Sequence, residues 1–109
     1  MNFDDYQRES RKTAIYPKLG KNFVYPTLGL AGEAGEVVKK VKKIIRDKNE
    51  EINEEIRAEI SREMGDVLWY LAQLASELDL SLNDVAIKNI EKISKRKTEG
   101  KINGDGDNR

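Results

Sequence analysis

Two pairs of acids sit where helical periodicity places an apolar face. Glu33/Glu36 and Glu63/Asp66 are each spaced i,i+3, which puts both carboxylates of a pair on one side of a helix. At about 100° per residue, Glu63 falls within about 40° of Ile56, Val67, Tyr70 and Leu74. Asp66 flanks that stripe, and Glu33 flanks the stripe of the preceding helix, with Glu36 one step further out. A charged carboxylate on a core stripe is costly unless something cationic compensates it. If the two helices pack by their stripes, four acids meet at one edge of the seam. Unpaired, they raise each other's pKa; a hard divalent cation reverses that. A generic surface Glu-x-x-Glu is a solvated feature, and that reading fits Glu33 and Glu36 taken alone. For Glu63 the structural alternative is an internal salt bridge to a lysine.

The remaining composition narrows the chemistry. The 109 residues contain no cysteine and no histidine. Disulfides, thiolate nucleophiles, Cys-ligated zinc, imidazole bases and imidazole metal ligands are therefore all excluded, and only oxygen donors remain. Lys+Arg and Asp+Glu balance at 20 each, so no global basic field for nucleic acid exists. No apolar run approaches the roughly 18 residues of a membrane span, and residues 1–6 carry Asp4 and Asp5 rather than a signal-peptide core. The expectation is a cytoplasmic protein with no membrane or nucleic-acid partner.

The chain reads as all-α. Asn2 caps a first helix running to about Ala14, and residues 16–22, with Pro17 and Gly20, read as loop. Pro26 opens a second helix ending near Asp47–Asn49; Asn53 leads into a third, from Ile56 to about Leu78; Ser81 caps a fourth, Leu82 to Lys97. Residues 1–99 form one helical domain, bundle-like, with the acidic helices pairing antiparallel. Residues 100–109 form a Gly/Asp-rich irregular tail. Its Asp105, Asp107 and Asn108 resemble the start of a calcium loop, but too few residues follow to complete twelve. Gly29, Gly32 and Gly35 recur every third residue beside the acids, each at a cost of about 0.5–1 kcal/mol, which suggests close backbone approach or tight helix packing. Lys39, Lys40, Lys42 and Lys43 read as a solvated face that also favours the helix dipole. A domain this small gains from oligomerisation.

The stretch Leu28–Val37 (LGLAGEAGEV), followed by Glu63-Met64-Gly65-Asp66-Val67, resembles the MazG-type nucleoside triphosphate pyrophosphohydrolases. The family pattern is EExxE, a spacer and ExxD. Glu33, Glu36, Glu63 and Asp66 match its last two Glu and its ExxD, with 26 residues (37 to 62) between the halves. Gly32 stands where the first Glu belongs, and a Gly there recurs in compact members. Residues 3–7 and 13–17, Asn89, Lys92 and Arg96, and residues 104–109 are also similar to compact members.

The resemblance implies a four-helix all-α fold working as a homodimer or a dimer of dimers. It implies Mg²⁺, with Mn²⁺ as a substitute, on Glu33, Glu36, Glu63 and Asp66, which would be both metal-ligating and catalytic. Water would attack the α-phosphorus of a nucleoside triphosphate, giving monophosphate and pyrophosphate, with Glu36 the candidate for orienting it. Phosphoanhydride cleavage depends on charge neutralisation and positioning, so a chain without His or Cys suffices. On the fourth helix Asn89, Lys92 and Arg96 share a flank and would contact substrate. Gln7 and Tyr6 would line a base pocket, and Trp69 would stack on a base or pack in a dimer. The tail would fold back over a site. Two other classes remain open at this level: a related helical pyrophosphohydrolase acting on dUTP, dCTP or a phosphoribosyl nucleotide, and a non-catalytic helical interaction protein.

Overall fold

The computed structural model describes residues 1–47 and 51–100. The tail's residues 101–109 lie outside the described residues. Four helices account for the regular structure: α1 (Phe3–Arg11), α2 (Val24–Arg46), α3 (Glu54–Glu77) and α4 (Leu82–Thr98), with no strand among the described residues. Local chemistry sets their starts. Asn2 and Asp5 form a reciprocal capping box on α1, the Asn53 side chain accepts from Ile56 N–H, and Ser81 Oγ accepts from Asp84 N–H. Pro26 sits in the first turn of α2, where its missing N–H costs nothing. Helix α3 stops in a Schellman turn: Leu80 N–H donates to Ala75 O, Asp79 N–H to Ser76 O, and Asp79 takes a left-handed φ of 55°.

The long helices α2 and α3 pair antiparallel. Lys40 reaches Glu59, Glu33 meets Glu63 and Asp66, and Gly29 lies under Tyr70, so one number falls as its partner rises. Helix α1 runs antiparallel along the C-terminal half of α3. Trp69 Nε1 donates to Thr13 Oγ1 at 2.9 Å, the buried Gln73 donates to Ser10 Oγ at 3.0 Å, and Gln7 donates to Ser76 Oγ at 3.1 Å. Helix α4 packs on α1 and the end of α3 and does not touch α2. The four helices therefore do not close into a self-sufficient bundle.

The tightest knot is polar. The Glu77 side chain is fully buried and pairs with Arg11 at 2.8 Å. It also accepts from Tyr16 Oη and from the backbone N–H groups of Gly20 and Asn22. Burial disfavours its charge, but the bonds from Tyr16, Asn22, Arg11 and Gly20 win and hold its pKa at about 2. Four donors on one carboxylate fix the 12–23 connection against α3. Tyr16 then stacks on Tyr25 of α2, with ring centroids 4.9 Å apart.

Of the three spaced glycines, only Gly29 meets another element: a Cβ there would overlap the Tyr70 ring. Gly32 and Gly35 face open space, so the close approach inferred from their spacing holds at one position of three.

Two predictions follow from opposite signs. Gly32→Ala should stabilise the protein by about 0.5–1 kcal/mol, the ordinary helix gain. Gly29→Ala should cost about 1–3 kcal/mol, because displacing Tyr70 outweighs that gain. Urea denaturation of both variants checks the contrast. Glu77→Gln should cost about 2–3 kcal/mol at pH 7. Because the native Glu77 pKa is depressed, that contribution is complete above about pH 4.5 and is lost as pH falls through about 2. The gap between wild-type and variant stability should therefore narrow only in acid.

Candidate metal centre

Carboxylate oxygens of Glu33, Glu63 and Asp66 all lie within 4.8 Å of one another. Glu33 comes from α2 at the turn after Gly29; Glu63 and Asp66 come from α3, one turn before Tyr70. Gly29 allows the helices to approach there, and the seam sets the carboxylates face to face. Glu33 and Glu63 are half-buried, and Asp66 is exposed. None of the three is ion-paired to a lysine or arginine among the described residues, so the salt-bridge alternative for Glu63 does not hold.

Their mutual field is visible on Glu33. Burial raises its pKa, and Asp66, Glu63 and Glu36 raise it further, in that order. The donor set is oxygen only, and its span is near the ~4–5 Å between opposite ligands of a hard cation bound at roughly 2.0–2.6 Å. By donor chemistry and spacing, these residues fit Mg²⁺ or Mn²⁺.

Glu36 stands outside this group. Its carboxylate contacts Lys39 one turn along α2 at 3.5 Å, and its contribution to the Glu33 shift comes last. Sequence spacing brought four acids together; the structure brings three, because Glu36 points further from the seam.

Two tyrosines border the acids. Burial and then Asp66 raise the Tyr6 phenol above its usual range. Burial, then Tyr25, Glu33 and Asp66, raise Tyr70. Tyr70 was legible as a stripe residue, but the prominence of tyrosine here was not, because it depends on α1 and the 12–23 connection folding over α3.

The other residues singled out from sequence fall elsewhere. The Gln7 amide is engaged within the fold: Nε2 donates to Ser76 Oγ and to Leu80 O, and Oε1 accepts from Leu82 N–H at 2.7 Å. It ties α1 to the junction of α3 and α4. Trp69 is held by Thr13 and lies edge-on to Tyr70, with centroids 5.0 Å apart. Asn89 and Lys92 are exposed on α4 and Arg96 is buried there. Since α4 does not touch α2, these three residues are not on a helix packed against Glu33.

Among the described residues, no helix is long and apolar enough to cross a membrane. The chain is similar over its whole length to the Gene 37 protein of Mycobacterium phage L5, 48% identical across 114 aligned positions that cover all of both proteins. No solved structure matches it. The MazG nucleotide pyrophosphohydrolase domain matches residues 26–100, a segment holding α2, the acidic seam, α3 and α4. With that match across the three acids that face one another, the chain belongs to the MazG nucleotide pyrophosphohydrolase family.

Proposed function

We propose that this protein hydrolyses nucleoside or deoxynucleoside triphosphates between the α- and β-phosphates in a Mg²⁺-dependent reaction, releasing monophosphate and pyrophosphate. The observation that carries this is the group of Glu33, Glu63 and Asp66, three unpaired carboxylates converging from two helices. A bound Mg²⁺ supplies neutralisation of phosphate charge and acidifies water. Glu33, Glu63 and Asp66 hold the ion, and Glu36, outside that group but one turn from Glu33, orients the attacking water. Such a reaction removes unwanted nucleotides from the pool in the cytoplasm. Asn89, Lys92 and Arg96 remain candidates for substrate contact once a second subunit is present.

A homodimer, or a dimer of dimers, completes the fold in this reading. Leu28, Val38, Ile45, Met64 and Ile90 are each more than half exposed. Val38, Val41 and Ile45 form a stripe on α2, and Met64 and Leu71 form one on α3. The radius of gyration is 16.7 Å, against about 13 Å for a compact chain of about 100 residues. Open shape and bare apolar stripes on the two longest helices both call for a partner, and an identical copy supplies matching stripes.

Five measurements test these statements. Hydrolysis in ¹⁸O-labelled water should place the label in the monophosphate and none in pyrophosphate; orthophosphate and a diphosphate as first products would overturn the reading. Glu63→Gln and Glu36→Gln should abolish turnover with helical content retained. Mg²⁺ should raise the wild-type Tm and leave that of Glu63→Gln unmoved. The raised pKa of Glu33 means acid repulsion weakens the fold as pH rises past about 4.5. Metal-free Glu63→Gln should therefore match or exceed the metal-free wild type in Tm at pH 7 and lose that advantage below pH 4. Light scattering should give at least twice 12.4 kDa, and Val38→Lys with Ile45→Lys should lower that mass.

A further inference from the structure

Beyond Glu36, helix α2 becomes basic on one side. Lys39, Lys42, Lys43 and Arg46 stand at i, i+3, i+4 and i+7, a single stripe about 10 Å long. All four are exposed. Lys40, off the stripe, turns toward α3 and reaches Glu59 at 4.0 Å. Lys39 contacts Glu36, and Arg46 contacts its neighbour Asp47 at 3.0 Å. Lys42 and Lys43 have no carboxylate within ion-pair distance among the described residues. The stripe, Lys40 and Glu36 line one recess of about 380 Å³. The basic surface thus meets Glu36, one turn along α2 from Glu33, through the Glu36–Lys39 contact.

The chain is electrically neutral overall, so this arrangement is a separation of charge. It addresses a difficulty that the acids create. A polyphosphate approaching three clustered carboxylates is repelled, and a metal ion offsets that only at short range. Fixed cations one to three turns away, about 5–15 Å along the helix from Glu36, act across a distance comparable to the Debye length of about 8 Å at physiological salt. Charge of one sign in a recess raises the local concentration of an oppositely charged ligand and its rate of arrival.

We propose that Lys39, Lys42, Lys43 and Arg46 form a capture surface for polyphosphate anions, which concentrates the triphosphate of the substrate beside the acidic metal centre. This rests on the pyrophosphohydrolase reading for the identity of the substrate, while anion capture itself can be measured separately. The four residues act on arrival and retention, and none of them touches the reacting phosphorus.

The test uses the full chain and the variant combining Lys39→Gln, Lys42→Gln, Lys43→Gln and Arg46→Gln; the single variant Lys43→Glu guards against a fourfold change that fails to fold. With Mg²⁺ fixed, kcat/KM for the best nucleotide is measured from roughly 10 to 300 mM salt. The fourfold variant should lose about tenfold in kcat/KM at low salt, chiefly through KM, and the two proteins should converge at high salt. Lys43→Glu should shift the same way by a smaller factor. Calorimetric titration with inorganic triphosphate and Mg²⁺ gives a readout that needs no turnover, and binding should weaken in both variants. Identical salt profiles with unchanged triphosphate binding, or a loss confined to kcat, would overturn the proposal. So would a changed oligomer mass in the variants, which would make the stripe an interface. Labelled duplex DNA that binds wild type but not the variant, with unaltered kinetics, would make it a nucleic-acid surface instead. Stripe-dependent triphosphate binding without pyrophosphate release from any nucleotide would sink the hydrolytic reading and leave the capture surface standing.

Discussion

The structure is organised around a repulsion. Glu33, Glu63 and Asp66 are held within 4.8 Å of one another by a helix pair whose packing their charges oppose. That geometry survives because attraction elsewhere on the same helices outweighs it. Tyr70 packs over Gly29 one turn from the acids, and the Tyr16–Tyr25 stack ties α2 to the preceding connection. At the far end of α3, the buried Glu77 gathers Arg11, Tyr16 and two backbone N–H groups. One carboxylate on α3 is thus oversupplied with donors and fixes the scaffold. Two others, three and four turns earlier on the same helix, lack any cationic partner among the described residues. The same chemical group serves as anchor or as site according to what faces it.

Much of this was legible from local pattern. Caps at Asn2, Asn53 and Ser81 depend on residues within three positions, so the helix starts could be read directly. Helical periodicity placed Glu63 on an apolar stripe, and the partial burial of Glu63 and Glu33 agrees. The Glu77 anchor was invisible because its partners lie 55 to 66 positions away in sequence, and nothing in a lone Glu at a helix end announces them. The role of Gln7 within the fold was not legible for a related reason. An amide carries no periodic signal, and only the fold shows that it bridges three helices. Gly32 and Gly35 suggested a close neighbour that only Gly29 has, since spacing alone does not say which side of a helix another element covers. Glu36 illustrates the limit of the i,i+3 rule: 300° of rotation leaves two side chains about 60° apart, enough for one to join the seam and the other to meet Lys39.

The core of the chain is small. The fully buried positions are small or polar: Ala72, Gln73, Pro26. Leu28, Val38, Val41 and Ile45 of α2 and Met64 and Leu71 of α3 are exposed, so the chain alone leaves part of its hydrophobic driving force unused. A self-contained bundle would have placed α4 across α2 and α3. Instead Gln7 and Asp4 bind the first turn of α4 beside α1, directing it away from the seam. The four helices of this chain form an open arrangement in which the acids sit on the α2–α3 seam and α4 lies apart from α2.

That placement has a consequence for how charge is distributed. Acids buried in the centre of a bundle would be neutralised by protonation, because desolvation costs more than ionisation returns. At an edge, Glu33 is shifted upward yet remains reachable by water and by ions. The same exposure leaves the three acids open to solvent, and the next turns of α2 carry lysines and an arginine rather than further acids. A neutral chain therefore presents a local dipole along one helix, negative at Glu33 and Glu36 and positive from Lys39 onward. Its positive end coincides with the negative end of the helix macrodipole, which lowers the cost of crowding those cations. Backbone and side chains thus favour the same separation of charge.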